Sequence, residues 1–116
     1  MVGCDIVEID RIKSAIDRYG ERFINRILTN EEREIYEKRN RSPEFFAGRF
    51  VAKESISKSF KTGVSESLKF IDIKILNGEK GEPVVYIKGI KREDIDVSIS
   101  HGRDYSIAVS ILRGVR

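Results

Sequence analysis

The sequence predicts an α+β domain, with an N-terminal strand and helices followed by a mostly antiparallel sheet packed on a long central helix. Three observations predict it. Apolar residues recur at helical spacing through the first half of the chain. They alternate with period two in the segments after Phe70. The linkers NGEKGEP and GRD between those later segments have turn chemistry. The 116 residues are enough for one compact core, and a single domain over residues 1–116 is expected.

The elements follow in order. VGCDIVEI, Val2 to Ile9, reads as a strand with Val2, Cys4 and Ile6 on one face and Gly3, Asp5 and Val7 on the other. A helix comes next, broken at Gly20, with Ile12, Ile16, Tyr19, Phe23 and Ile27 as its core stripe. TNEE is a capping box: Thr29 accepts from the backbone near Glu32, and Glu32 reaches back. That helix runs to about Arg39. NRSPE resets the chain, and Pro43 suits the first turn of the long helix, which KTG (Lys61 to Gly63) ends. In FIDIKIL, Ile71, Ile73 and Ile75 face inward. VVYIKG is the return strand, KRED makes a helical turn, and DVSISH and YSIAVSIL are two further strands.

Composition excludes some classes. The chain is 40% hydrophobic and 35% charged, a globular balance rather than a disordered one. No apolar run approaches the roughly 18 residues of a membrane span. MVGCDIVEID carries acids directly after a short apolar run, so it does not read as a signal peptide. The lone cysteine, Cys4, can form no intrachain disulfide; it is expected to be a small buried apolar residue in a cytoplasmic protein. A net charge of +3 leans toward an anionic partner: nucleic acid, an anionic cofactor or an acidic protein. No P-loop, dinucleotide glycine motif, CxxC or HExxH is present, and one histidine with one cysteine argues against a transition-metal site.

AGRFVAKESISKSF, Ala47 to Phe60, carries the most chemistry. At about 100° per residue, Ala47, Phe50, Val51, Glu54 and Lys58 share one sector, so charge sits among core-like side chains. Glu54 either forms an i,i+4 pair with Lys58 or lines a cleft with it. Lys58 suits a phosphate contact, and could donate a proton if its pKa were lowered. Asp5 on the first strand is either the partner of a basic group or a ligand for a hard cation such as Mg²⁺. His101, the only histidine, ends a strand beside Gly102. Arg11, Arg18 and Arg22 form a row that is either a solvated face or a seat for an acidic helix.

Three blocks, in this order, resemble a known family: GCDIVEIDRI, FFAGRFVAKESISKSF, and VSISH followed by an alternating strand. They are similar to the holo-acyl-carrier-protein synthases, the short type of 4′-phosphopantetheinyl transferase. The resemblance implies transfer of the phosphopantetheine arm of coenzyme A to a serine of apo acyl carrier protein, with Mg²⁺, releasing adenosine 3′,5′-bisphosphate. It implies Asp5 and Glu54 as metal ligands. It makes Lys58 a phosphate contact and catalytic acid, and it puts Arg49 and His101 on coenzyme phosphates. It leaves the proton acceptor open between Glu54 and a water on the metal. Arg11, within the motif, and its neighbours Arg18 and Arg22 would dock the acidic carrier protein. A homotrimer with the active site between subunits is implied, with neither nucleic acid nor membrane as partner. Lys61 before TG, GEP in place of GKP, and Cys4 depart from the family's usual pattern. The rival from composition is a basic nucleic-acid-binding module, which would not need Glu54.

Overall fold

The computed structural model describes residues 1–60 and 68–114. The elements are β1 (Val2–Glu8), α1 (Ile9–Tyr19), α2 (Glu21–Ile27), α3 (Asn30–Lys38), α4 (Pro43–Ser59), a 3-10 turn at Phe70–Asp72, β2 (Ile73–Asn77), β3 (Pro83–Ile87), β4 (Ile90–Lys91), β5 (Ile95–His101) and β6 (Tyr105–Leu112). This is the expected α+β architecture, with the strands divided between two antiparallel sheets ordered β1-β6-β5 and β2-β3-β4. Both share a core with α4: Val51, Ala52 and Ile56 pack with Ile73, Ile75 and Val85 from one sheet and with Ala108 and Leu112 from the other. A second cluster gathers α1, α2 and α3 on the N-terminal half of α4 through Ile12, Ile24, Tyr36 and Phe46.

Local signals set the boundaries. Gly20 takes φ 60°, a left-handed conformation that a glycine adopts freely, and it separates α1 from α2. Thr29 and Glu32 form the reciprocal cap of α3. Ser42 caps α4 by accepting from Phe45 N at 3.2 Å, with Pro43 in the first turn. Described helix ends at Ser59; the expected stop at Lys61–Gly63 lies outside the described residues.

The inner face of the β1-β6-β5 sheet is lined with small residues. Gly3 pairs with Ser110, Asp5 with Ala108 and Val7 with Ser106. A helix therefore lies very close to it. A Cβ on Gly3 would overlap the Ser55 carbonyl, and Ser55 Oγ is 2.9 Å from Ser110 Oγ. This seam places Asp5 beside α4.

Several expectations are corrected. Ile71 points outward, at 49% exposed, because Phe70–Asp72 is a 3-10 turn closed by Lys69 N donating to Asp72 Oδ2; period two begins only at Ile73. KRED contributes no helical turn: Ile90–Lys91 pairs with β3 and the chain then turns at Glu93–Asp94. Ile9 opens α1 rather than closing β1. Tyr19 is exposed, since α1 ends there. Cys4 is exposed, because Gly3, Asp5 and Val7 form the face that meets α4.

A pair of charges that the sequence does not advertise lies in the core. Lys53 and Glu32 are both fully buried, and Lys53 Nζ donates to Glu32 Oε1 and to Ile27 O, each at 2.6 Å. Glu32 Oε2 accepts from Ile75 N at 2.8 Å, and Oε1 also from Thr29 N. One capping acid thus ties together α2, α3, α4 and β2. Burial holds the Lys53 ammonium below its usual pKa, against the pull of Glu32.

Candidate active site

Asp5, from the inner face of β1, and Glu54, from α4, line one cleft of about 360 Å³ together with Arg11 and Phe50. Burial raises the pKa of Glu54, and the Asp5 charge adds to the rise, with Lys58 opposing both. Lys58 does not turn to Glu54 as an i,i+4 partner. Its Nζ donates to Asp5 Oδ1 at 2.9 Å and to Cys4 O at 3.4 Å. That bond to Asp5 raises its pKa, the opposite of the lowering that would make it a ready acid near neutrality. It is held as a cation.

Two acids facing one cleft, one of them half-buried and short of compensating charge, suit a cation. Among the described residues no three His, Cys, Asp or Glu side chains cluster as a metal-binding group. A two-carboxylate set fits a hard divalent ion that completes its shell with waters and substrate oxygens, not a transition metal.

Arg49 and His101 lie elsewhere. They line a separate cleft of about 590 Å³ with Arg39, Ser42, Asn77 and Gly48. Arg49 and Glu54 are both on α4 but about 140° apart around its axis, so the helix stands between the two clefts. Arg49 is 6% exposed; its guanidinium lies 4.6 Å from the Phe45 ring centre and Nη2 donates to Asn77 Oδ1 at 2.9 Å. Its buried Nε finds no acceptor among the described residues. Burial pushes its pKa down to about 10, which leaves it charged at neutral pH. A guanidinium at the wall of a cleft that also holds His101 and Arg39 suits an anion.

Arg11, Arg18 and Arg22 are all exposed. Arg11 lines the Asp5–Glu54 cleft. Arg18 lies 5.5 Å from the Tyr19 ring centre. Arg22 lines a smaller hollow with Tyr19, Phe23 and Arg26. Arg26 was not singled out in the sequence, although it falls one helical turn after Arg22 and prolongs the row. Asn77, the last residue of β2, and Arg39 and Ser42, which flank α3 and α4, also went unread, because polar residues at the ends of elements look alike until the fold shows which of them meet.

Comparison with known proteins gives the family. Residues 1–110 match the family model of the 4'-phosphopantetheinyl transferase superfamily. The chain belongs to that superfamily. Among its relatives, the holo-acyl-carrier-protein synthase of Geobacillus sp. (strain WCH70) is 46% identical over 96% of this chain and 93% of that protein. The synthase of Clostridium tetani (strain Massachusetts / E88) is 44% identical over 97% of this chain and 94% of that one. Of the solved structures, the Helicobacter pylori synthase in complex with coenzyme A superposes with a TM-score of 0.82 at 30% identity, covering 97% of this chain and 99% of that chain. The Bacillus anthracis synthase, in complex with coenzyme A (3′,5′-ADP), gives 0.78 at 35% identity, covering 96% and 93%. As a phosphopantetheinyl transferase, the chain carries the family's α+β fold.

Proposed function

We infer that this chain transfers the 4′-phosphopantetheine group of coenzyme A to a serine of apo acyl carrier protein, releasing adenosine 3′,5′-bisphosphate. The observation that carries the reading is the convergence of Asp5 and Glu54 on one cleft. A basic nucleic-acid module would have no use for it.

The chemistry follows from the residues. The serine oxygen attacks the phosphorus next to the pantetheine arm, the bond to the bridging pyrophosphate oxygen breaks, and the nucleotide bisphosphate leaves. Asp5 and Glu54 would hold Mg²⁺, the hard cation that two carboxylates and phosphate oxygens suit. When bound, it neutralises charge on the pyrophosphate. The serine proton passes to Glu54 or to a water that the cation would hold. Lys58, protonated and adjacent to Asp5, contacts the same phosphates. It arrives with the proton a leaving oxygen needs, but its raised pKa makes it a reluctant acid. Arg49 and His101 take phosphates of the coenzyme in the larger cleft. The exposed row Arg11, Arg18 and Arg22, with Arg11 beside the reacting carboxylates, receives the acidic carrier protein. The lone cysteine accords with a cytoplasmic location, and no described helix is long and apolar enough to cross a membrane.

The deciding experiment is mass spectrometry of apo carrier protein incubated with coenzyme A, Mg²⁺ and this protein: the carrier should gain the mass of the arm. No gain at any cation concentration sinks the reading. Arg49→Ala is expected to raise KM for coenzyme A about tenfold or more with a smaller change in kcat, because a charged hydrogen bond to the ground-state ligand is lost. Steady-state kinetics checks it.

A homotrimer accords with the outer face of the β1-β6-β5 sheet. Val2, Ile6, Ile107, Val109 and Ile111 are each between 37% and 57% exposed there, in cross-strand rows Val2–Ile111 and Ile6–Ile107. A continuous apolar face of this kind marks an association surface. Association would also let the Arg49–His101 cleft of one subunit serve the Asp5–Glu54 cleft of another, which a single chain keeps on separate sides of α4. Val109→Asp is expected to leave the circular dichroism unchanged, dissociate the oligomer in sedimentation equilibrium and abolish transfer. A variant that stays assembled and active would remove this surface as the interface.

A further inference from the structure

His101 is the only histidine in the chain, and the proposed reading gives it an anion to contact. What such a histidine offers depends on which ring nitrogen carries the proton. The structure restricts that choice through Ser106, on the strand that follows.

Ser106 is the cross-strand neighbour of His101 on β6. Its side chain points to the inner face and is fully buried. His101 Nδ1 lies 2.8 Å from Ser106 Oγ, and among the described residues Ser106 Oγ has no other partner. The hydroxyl hydrogen cannot reach water at zero exposure. If Nδ1 carried the proton and donated to Oγ, that buried hydrogen would have no acceptor, an arrangement folded proteins avoid. If the hydroxyl donates to Nδ1 instead, its hydrogen is satisfied. Nδ1 is then bare and the neutral ring carries its proton on Nε2, the nitrogen left to the cleft that His101 lines.

Gly48 completes the arrangement from the other side. A Cβ there would come within 2.7 Å of His101 Cε1 and 3.2 Å of Nε2. Glycine in the interior of a helix costs stability relative to alanine, and here it leaves the space in which the ring lies against Ser106.

We propose that Ser106 is a positioning residue that fixes His101 as an Nε2–H donor toward the coenzyme's phosphates. This rests on the proposed role of His101. Its consequence is specific. A neutral His101 still offers a hydrogen to an anion, and it offers no lone pair on the cleft side with which to act as a base.

The test uses the full-length protein. With one histidine, ¹⁵N spectra of the imidazole report a single ring. At a pH where the ring is neutral, Nδ1 is expected at the shift of an unprotonated nitrogen and Nε2 at that of a protonated one. In Ser106→Ala the two shifts should move toward the average of both tautomers, and KM for coenzyme A should rise about fivefold with kcat changed less than about twofold. Gly48→Ala should displace the ring and raise KM in the same way. A protonated Nδ1 in the unaltered protein, which requires no variant to fold, overturns the proposal. So does a Ser106→Ala protein with unchanged shifts and unchanged KM. His101→Ala separates the two layers: unchanged KM there, with the tautomer as stated, overturns the coenzyme contact itself and not the serine–histidine geometry.

Discussion

Replacing either Asp5 with Asn or Glu54 with Gln is expected to lower the rate of arm transfer by a factor on the order of 10³, since a catalytic cation supplies several kcal/mol of charge stabilisation. The fold should survive both changes, for different reasons. Glu54 is a half-buried acid whose charged form is disfavoured by burial and by Asp5, so removing its charge relieves a penalty. Glu54→Gln should therefore unfold at the same temperature or higher. Asp5 loses an ion pair with Lys58, whose side chain is 54% exposed, and a pair this open to solvent contributes about 1 kcal/mol or less. Transfer measured by mass across a Mg²⁺ titration, with thermal unfolding alongside, checks both halves. If either variant kept near-full activity at ordinary Mg²⁺, the two-carboxylate site would be wrong. If activity fell only in step with lost fold, the acids would be structural.

The largest effect on stability is expected at Lys53. Lys53→Met removes a fully buried ammonium and leaves the Glu32 carboxylate buried against two backbone donors without its direct ion-pair partner. Breaking a buried pair from one side costs about 3–5 kcal/mol, which for a chain of this size lowers the unfolding midpoint by roughly 15 °C. Removing Glu32 as well should cost less than the sum of the two single changes, because the stranded charge goes with it. Urea unfolding of Lys53→Met, Glu32→Gln and the double variant gives that coupling directly. Additive costs would show that the pair is incidental to the packing around it. Lys53 also adjoins Glu54 in sequence, so the same variants should show weakened transfer at temperatures where they remain folded.

The fold was largely legible because its signals are local. Gly20, the Thr29–Glu32 cap and Pro43 each act within a few residues, and each marks a helix end in the structure. The period-two reading held for Ile73 and Ile75 and failed at Ile71, where a side chain–backbone bond from Asp72 sets a tight turn and overrides alternation. Cys4 is hard to place because its face, with Val2 and Ile6, is the more apolar one on β1, and only the small residues of β6 decide that the other face meets the helix. At the candidate site, Asp5 and Glu54 stand out as residues in the sequence, but their meeting in one cleft depends on contacts between the first strand and the fourth helix that no spacing rule contains. Lys53 was missed for a related reason. Its partner Glu32 already had a sufficient local role as a helix cap, and its second role needs α3, α4 and β2 to be in place together.

The seam at Gly3 has a consequence for the distance between the two acids. Asp5 sits two residues along from a glycine whose missing side chain lets strand and helix backbones touch. Interlocking bulky side chains leave a gap that can breathe as rotamers change; main chain resting on main chain does not. The two acids that would hold the cation are thus spaced by a direct backbone contact, and a single added methyl at Gly3 would push strand and helix apart without altering either acid.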